Sequence, residues 1–137
     1  MIGLTDAGSP DIVLTIDSLA VALRWQGRFA EAESLLRRSI ANQERARRTN
    51  TTQFASTLHN LGTVLRSLDR SAEAEKIHKQ SLDIFQRTLP PAHPSIAASL
   101  SALAILYTEQ QRYAEAEPEL SLIVGDGRAV QAAAVAG

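Results

Sequence analysis

A run of alternating alanine and glutamate, four residues long, occurs three times in this chain at a constant spacing. The three copies begin at Ala30, Ala72 and Ala114, so each follows the previous one by 42 residues. A period without gaps is typical of a solenoid, in which each unit buries its apolar face against the next. The period therefore predicts a repeat array, which offers an extended surface to a partner. Other positions with the same spacing are Ile16, Leu58 and Leu100, then Leu19, Leu61 and Leu103, then Arg28, Arg70 and Arg112.

Composition and charge fit one small helical domain and exclude several classes of function. The 137 residues carry a net charge of −1 with acids and bases interspersed, so no overall field attracts nucleic acid or an anionic membrane. The chain has no cysteine, which excludes disulfides and thiolate metal sites. No run of about 18 apolar residues is long enough to span a membrane, and residues 1–10 lack a secretion signal. These features predict a cytoplasmic protein or a fragment of a longer one.

Each unit repeats one apolar pattern in two halves. In the first half a large residue is followed three positions later by a leucine, then directly by a small residue, and three positions after that by another large residue. In the second half an alanine is followed four positions later by a larger residue. These positions are Ile16, Leu19, Ala20 and Leu23, then Leu58, Leu61, Gly62 and Leu65, then Leu100, Leu103, Ala104 and Tyr107, with the pairs Ala32 and Leu36, Ala74 and His78, and Ala116 and Leu120. The pattern resembles the tetratricopeptide repeat, whose ordinary period is about 34 residues. The longer period, and the proline-rich entry at residues 89–94, resemble kinesin light chain repeats more closely.

The resemblance implies an all-α fold, a right-handed α-solenoid of three antiparallel helix pairs. Ser9-Pro10 and His93-Pro94 place proline in a first helical turn, and Thr51 or Thr52 is suited to cap the second repeat. We therefore expect first helices at about 11–25, 53–67 and 95–109, and second helices at about 29–48, 71–88 and 113–124. Pro118 is expected to lie within the last helix, as similar prolines do in kinesin light chain repeats.

The same patterns predict the limits of the domain. A flexible N-terminal segment is expected at residues 1–9 and a single repeat domain at 10–127, with repeats at about 11–50, 51–92 and 93–124. Glycines in Gly125-Asp126-Gly127 end the last helix about two turns early, which indicates the end of the array or an eroded last unit. Residues 128–137 are expected to form a tail or a short capping helix.

The resemblance also implies a binding surface, because first helices line the concave side of these arrays. Asn60 matches an asparagine that holds the main chain of a ligand, since its amide both donates and accepts hydrogen bonds. Arg24 and Arg66 either form a basic ladder or are ordinary solvated side chains, and Trp25 either anchors a peptide or covers its own hairpin. Asn60 and Arg66 are expected to be largely exposed. The implied partner-binding residues are Asp17, Arg24, Trp25, His59, Asn60, Thr63, Arg66 and Ser101.

One subset of the family grips the C-terminal carboxylate of chaperone tails with lysines and asparagines. The corresponding columns here hold Asp17, Val21, Asn60, Ala98 and Ala102, so only the asparagine is matched. A carboxylate that entered this surface would lose its hydration with little charge-assisted return. We therefore expect an internal peptide segment or the face of a folded protein as partner.

No catalytic, cofactor-binding or metal-binding residue is predicted. His59, His78 and His93 lie far apart in sequence and form no ligand pair of helical spacing. The paired glutamates begin the second helices, where the helix dipole favours acids. The arginines at 45, 47 and 48 lack the interleaved aromatic residues of a nucleic-acid site.

Two functions of different classes are left. The first is a non-enzymatic protein–protein interaction module that binds a peptide or protein in its concave groove. The alternative is a structural or self-assembling piece that forms a homo-oligomer, or docks to a longer chain, through its exposed end helices.

Overall fold

Six helices make up the part of the chain that a computed structural model describes, residues 8–124. The pairs are α1 Pro10–Trp25 with α2 Phe29–Arg45, α3 Thr52–Ser67 with α4 Ser71–Thr88, and α5 Pro94–Glu109 with α6 Tyr113–Val124. The helices of each pair contact each other, and each second helix contacts the next first helix. The predicted all-α solenoid is therefore confirmed. The predicted end of the last helix at 125–127, the tail 128–137 and most of the segment 1–9 lie outside the described residues.

The helices begin where turn and capping residues predict. Pro10 and Pro94 occupy the first positions of α1 and α5. Thr51 caps α3, because its hydroxyl accepts a hydrogen bond from the amide of Phe54 at 3.0 Å. The last helix continues through Pro118, as expected. Each first helix therefore begins one residue before its predicted start.

The three hairpin turns share one backbone conformation. Gly27, Asp69 and Gln111 stand at the same repeat position and have φ angles of 76°, 58° and 61°. In each turn the amide of the following arginine donates to the carbonyl five positions earlier, at 2.7 to 2.9 Å, which closes the first helix. A further left-handed residue, Arg47 with φ of 57°, follows the end of α2 at Arg45. The predicted end of this helix at residue 48 is therefore wrong by three residues.

Small alanines let the two helices of a pair approach closely. Ala32, Ala74 and Ala116 are all buried, and Ala74 lies in a core cluster with Leu61 and Leu65 of α3. A larger side chain at this position would have to displace the facing helix. The alanine column therefore fixes the packing distance within each repeat.

Ala74→Leu is expected to lower the free energy of unfolding by about 1–3 kcal/mol, because it overpacks this contact. Ala72→Leu is the matched control, since Ala72 is exposed on the same helix and its change should stay within about 0.5 kcal/mol. Urea denaturation of the two variants measures both values. Wild-type stability in Ala74→Leu would contradict the repeat register.

The first helices form a continuous inner row. α1 contacts α3 and α3 contacts α5, whereas the backbones of the described second helices α2, α4 and α6 do not approach one another, and Arg37 of α2 reaches Glu73 of α4 through a side-chain ion pair of 3.1 Å. The first helices therefore lie on the inner side of the array, where neighbouring repeats are closest. This row carries the surface on which the predicted partner-binding residues stand.

Candidate functional site

The inner surface consists of first-helix positions between the packing columns. We call this surface the groove and define it by six columns that follow the 42-residue period. The columns are Leu14, Ser56 and Ala98; Asp17, His59 and Ser101; Ser18, Asn60 and Ala102; Val21, Thr63 and Ile105; Arg24, Arg66 and Thr108; and Trp25, Ser67 and Glu109.

Asp17 does not lie on the open groove, which corrects the expectation from the sequence. Its side chain is buried between the first and second repeats, with 7% of the residue exposed. Its Oδ2 accepts a hydrogen bond from the Thr57 hydroxyl at 2.7 Å, and Gln43 donates to the same hydroxyl at 3.0 Å. Burial raises the pKa of Asp17 to about 6, although hydrogen bonds from Thr57 and Ser39 lower it. Direct contact between α1 and α3 encloses this carboxylate, so it joins repeats instead of facing solvent.

Asp17→Asn is expected to raise the free energy of unfolding at pH 7 by about 1–3 kcal/mol, since it keeps an acceptor for Thr57 and removes a buried charge. The folded-state pKa of Asp17, about 6, is above its ordinary value of 3.8. Ionisation therefore opposes folding above pH 6, and this opposition disappears as the pH falls to 3.8. Urea denaturation should show the gain at pH 7 and none near pH 4. An equal gain at both pH values would contradict this assignment.

The centre of the groove backs onto a pair of histidine rings. The ring centroids of His59 on α3 and His78 on α4 lie 4.9 Å apart, with the planes at 66°. His78 is fully buried, because Gly62 leaves room for its ring: a Cβ at Gly62 would lie 2.6 Å from His78 Nε2. Burial, then the neighbouring His59 and Arg66, lowers the pKa of His78 to about 3, and burial also lowers the pKa of His59. Both rings are therefore neutral at pH 7.

The repeat positions of Gly62 and His78 change as a pair from one repeat to another. The first and third repeats have alanine and leucine at these two positions, whereas the middle repeat combines the smallest residue with an imidazole. The Nδ1 atoms of both histidines make no hydrogen bond within residues 8–124. The middle repeat therefore has a polar ring in a contact that is apolar in the first repeat.

Gly62→Ala is expected to destabilise the fold by about 1–3 kcal/mol, because the added methyl meets the buried ring. Adding His78→Leu should recover most of this loss, since the pair then matches Ala20 and Leu36 of the first repeat. Thermal denaturation of the two single variants and the double variant gives the coupling. Additive effects would show that the two positions do not share one space.

The same double variant has a second readout in its pH dependence. His78 stays neutral in the folded protein down to pH about 3, whereas in the unfolded chain it takes up a proton near its ordinary pKa of 6.5. The contribution of His78 to the free energy of unfolding of the wild type therefore has its full value above pH 6.5. It falls as the pH drops towards 3, by at most about 1.4 kcal/mol per pH unit. The stability difference between double variant and wild type should grow in favour of the variant over this range. A constant difference would contradict the buried neutral imidazole.

Arg66 forms a bidentate ion pair with a glutamate of the next repeat. Its Nε and Nη2 donate to the two carboxylate oxygens of Glu109, both at 2.8 Å. This pairing raises the pKa of Arg66 and lowers the pKa of Glu109. Arg66 is exposed as expected, yet it is not a free member of a basic ladder with Arg24. Glu109 was not among the predicted contacts. The sequence did carry a signal for it, because Glu109 directly follows Thr108, the residue one period after Arg66.

Trp25 is the most exposed apolar side chain in the groove. Its residue exposure is 76%, and the guanidinium carbon of Arg24 lies 4.9 Å from the centroid of its ring. The ring therefore stands in solvent and does not cover the hairpin. Leu14 and Ile105 are the other exposed large apolar residues of the groove. They were not among the predicted contacts, and the only signal for them in the sequence is that they occupy groove columns of the repeat.

Five of the predicted residues have intermediate exposure: Arg24, His59, Asn60, Thr63 and Ser101. Asn60 is half-buried and thus less accessible than expected, and Ser101 is also half-buried. The Thr63 hydroxyl donates to the carbonyl of His59 at 3.1 Å, one turn earlier in α3. A cleft of about 370 Å³ brings Ser101 together with Arg66 at the α5 end of the groove.

The chemistry of the groove rests on hydrogen bonds, one ion pair and apolar contact. Within residues 8–124 no group of three or more histidine, aspartate or glutamate side chains is arranged to hold a metal ion. In the same range no helix is both long enough and apolar enough to cross a membrane.

Comparison with known proteins identifies the repeat type. Two family models, both described as tetratricopeptide repeat, match residues 13–46 and 53–120, which together make up more than half of the chain. No curated protein sequence matches the chain.

Three solved structures share the fold. A Podosopora anserina protein assigned as a kinesin light chain, with nearly identical TPR-like repeats, is 26% identical with a TM-score of 0.68, over 97% of this chain and 61% of that one. A single-residue variant of that protein gives 27% identity and a TM-score of 0.69, over 96% and 60%. BtubC (BKLC) from P. vanneervenii is 20% identical with a TM-score of 0.75, over 92% and 49%. The chain thus spans about half to three fifths of the length of these proteins.

Proposed function

The chain belongs to the tetratricopeptide repeat family, and on that premise we propose that it is a non-enzymatic module that binds a peptide segment or protein partner in its groove. Repeats of this family generally mediate protein–protein interactions. The observation that carries the proposal is the pair of apolar ends of the groove, on α1 and on α5, with a polar centre on α3 between them. Such an arrangement is suited to an extended segment that crosses several repeats.

The exposed apolar residues stand at both ends of the groove. Leu14 and Trp25 belong to the first repeat and Ile105 to the third. A single exposed apolar residue is ordinary on a protein surface, but an aromatic ring at the edge of a groove is a frequent anchor in binding. We assign Trp25 this role, with Arg24 at 4.9 Å holding the ring from one side.

The polar centre is suited to a peptide main chain. Asn60 lies half-buried in α3, so its amide is less free to rotate than a fully exposed one, and it both donates and accepts hydrogen bonds. His59, neutral at pH 7, adjoins it in the same helix. An extended peptide presents alternating N–H and C=O groups that match these residues.

Charge gives this groove little selectivity for strongly charged peptides. Arg66 is neutralised by Glu109, and the columns that would grip a C-terminal carboxylate hold Val21, Ala98 and Ala102. The expected partner is therefore an internal segment with apolar side chains near its two ends. Its binding should depend weakly on salt, because few ion pairs form on association.

The test selects ligands from random peptides displayed as internal segments, with the purified chain as bait, and measures affinity by calorimetry. Trp25→Ala and Asn60→Ala should each weaken the selected peptides by about fivefold or more, the loss of about 1 kcal/mol expected at an anchor. Both residues are at least partly exposed, so the free energy of unfolding should change by less than about 1 kcal/mol.

Arg38→Ala is the matched control, because Arg38 is exposed on α2, outside the first-helix row. It should leave both affinity and stability unchanged. Unchanged affinity in Trp25→Ala and Asn60→Ala would remove the groove as the binding surface, and loss of binding in Arg38→Ala would move that surface to the second helices.

A further inference from the structure

The two ends of the described stack expose residues that the internal repeat contacts bury. Leu19 on α1 is 51% exposed, whereas the equivalent Leu61 and Leu103 are 0% and 1% exposed. At the other end Leu120 on α6 is 41% exposed, whereas the equivalent Leu36 is 0% exposed. Each end therefore presents one half of a repeat-to-repeat contact.

The α6 end holds a cleft for a leucine of this kind. The cleft, of about 370 Å³, is lined by Ala104 and Leu120 together with the Arg66–Glu109 pair. In the first repeat the two corresponding residues, Ala20 and Leu36, form a core cluster with the leucine of the next repeat, Leu61. A leucine presented by another α1 in the same register would fill the cleft.

A ladder of ion pairs crosses the repeat contacts beside these leucines. Arg70 Nη1 lies 2.8 Å from Glu33 of the preceding repeat, and Arg112 Nη1 lies 2.6 Å from Glu75 of the preceding repeat. The ladder is therefore repeated with the period of the chain. In both contacts the arginine comes from the later repeat and the carboxylate from the earlier one.

The two ends of this ladder carry opposite charges. Arg28 is the counterpart of the ladder arginines, and within residues 8–124 it pairs with Glu31 and Gln26 of its own repeat. Glu117 is the counterpart of the ladder glutamates; it is exposed, and no arginine in that range reaches it. The α1 end therefore presents a base and the α6 end an acid, at positions that would meet in a continued stack.

We propose that the chain associates head to tail with a second copy of itself. The α1 of one copy docks on α5 and α6 of the other, with Leu19 in the cleft beside Leu120 and Arg28 paired with Glu117. The second copy then stands where a fourth repeat would stand. This contact uses different surfaces on the two copies, so it leaves one free end of each kind and permits longer chains at high concentration. It does not depend on peptide binding in the groove.

Charge reversal tests the two ends separately. In sedimentation velocity, the wild type should show a weight-average sedimentation coefficient that rises with concentration. Arg28→Glu and Glu117→Arg should each weaken self-association by about fivefold or more, because each brings like charges together. An equimolar mixture of the two variants should associate again, since both ends then find an opposite charge. The double variant should self-associate as well.

Leu19→Asp should abolish association, and Leu14→Asp is its control, because Leu14 is also exposed on α1, at 61% against 51%, but stands in the groove. Melting temperatures near the wild-type value establish that each variant is folded. Three results would overturn the proposal: a wild type that stays monomeric at every concentration, a mixture that fails to associate, or an effect of Arg28→Glu without one of Glu117→Arg. The last result would indicate pairing between like ends.

Discussion

Contact between successive repeats is the constraint on which the rest of this structure depends. A helix pair buries apolar residues on its inner seam but leaves another apolar side uncovered. Leu61 and Leu103 are buried because a preceding repeat covers them, whereas Leu19, at the same position in the first repeat, stands half in solvent. The stability of each unit is thus shared with its neighbour. For the same reason, both ends of the described stack have exposed apolar residues that a further repeat would cover.

Polar groups within these contacts restrict how the repeats fit together. The carboxylate of Asp17 meets the hydroxyl of Thr57 between the first two repeats, and the ring of His78 lies over Gly62 within the middle one. Burial of Asp17 opposes folding above pH 6, where its raised pKa is exceeded. Burial of His78 opposes folding at acidic pH, because its lowered pKa keeps the ring neutral while the unfolded chain takes up a proton. An apolar substitute for Asp17 would remove the buried charge but would also lose the hydrogen bond with Thr57 that joins the two repeats.

The groove and the ends offer two surfaces of different character. The groove combines exposed Trp25 with the half-buried amide of Asn60 and an internally neutralised Arg66. The ends combine an apolar residue with a single charge that lacks its inter-repeat partner. Since the cleft at the α6 end also borders Arg66, a docked copy would lie next to the groove and extend it. Self-association would thereby lengthen the surface available to a partner.

The sequence by itself determined the repeat period, the family and the helix starts. The reason is that period, proline and capping residues act locally, so Pro10, Thr51 and Pro94 mark their helices without any tertiary information. The columns of the groove followed from the same period. The alanine column followed from the period as well, and its three members are buried because the same close helix contact recurs in every unit.

The tertiary structure alone decided which column members are open to a partner. Asp17 and His59 share a column with Ser101, yet one is enclosed by the contact between α1 and α3 while another packs against a ring from α4. Arg66 and Glu109, 43 residues apart, neutralise each other only because two repeats bring them together. Exposure depends on what neighbouring elements cover, and a repeat pattern assigns the same environment to every copy. It therefore cannot distinguish an internal repeat from one at the end of a stack.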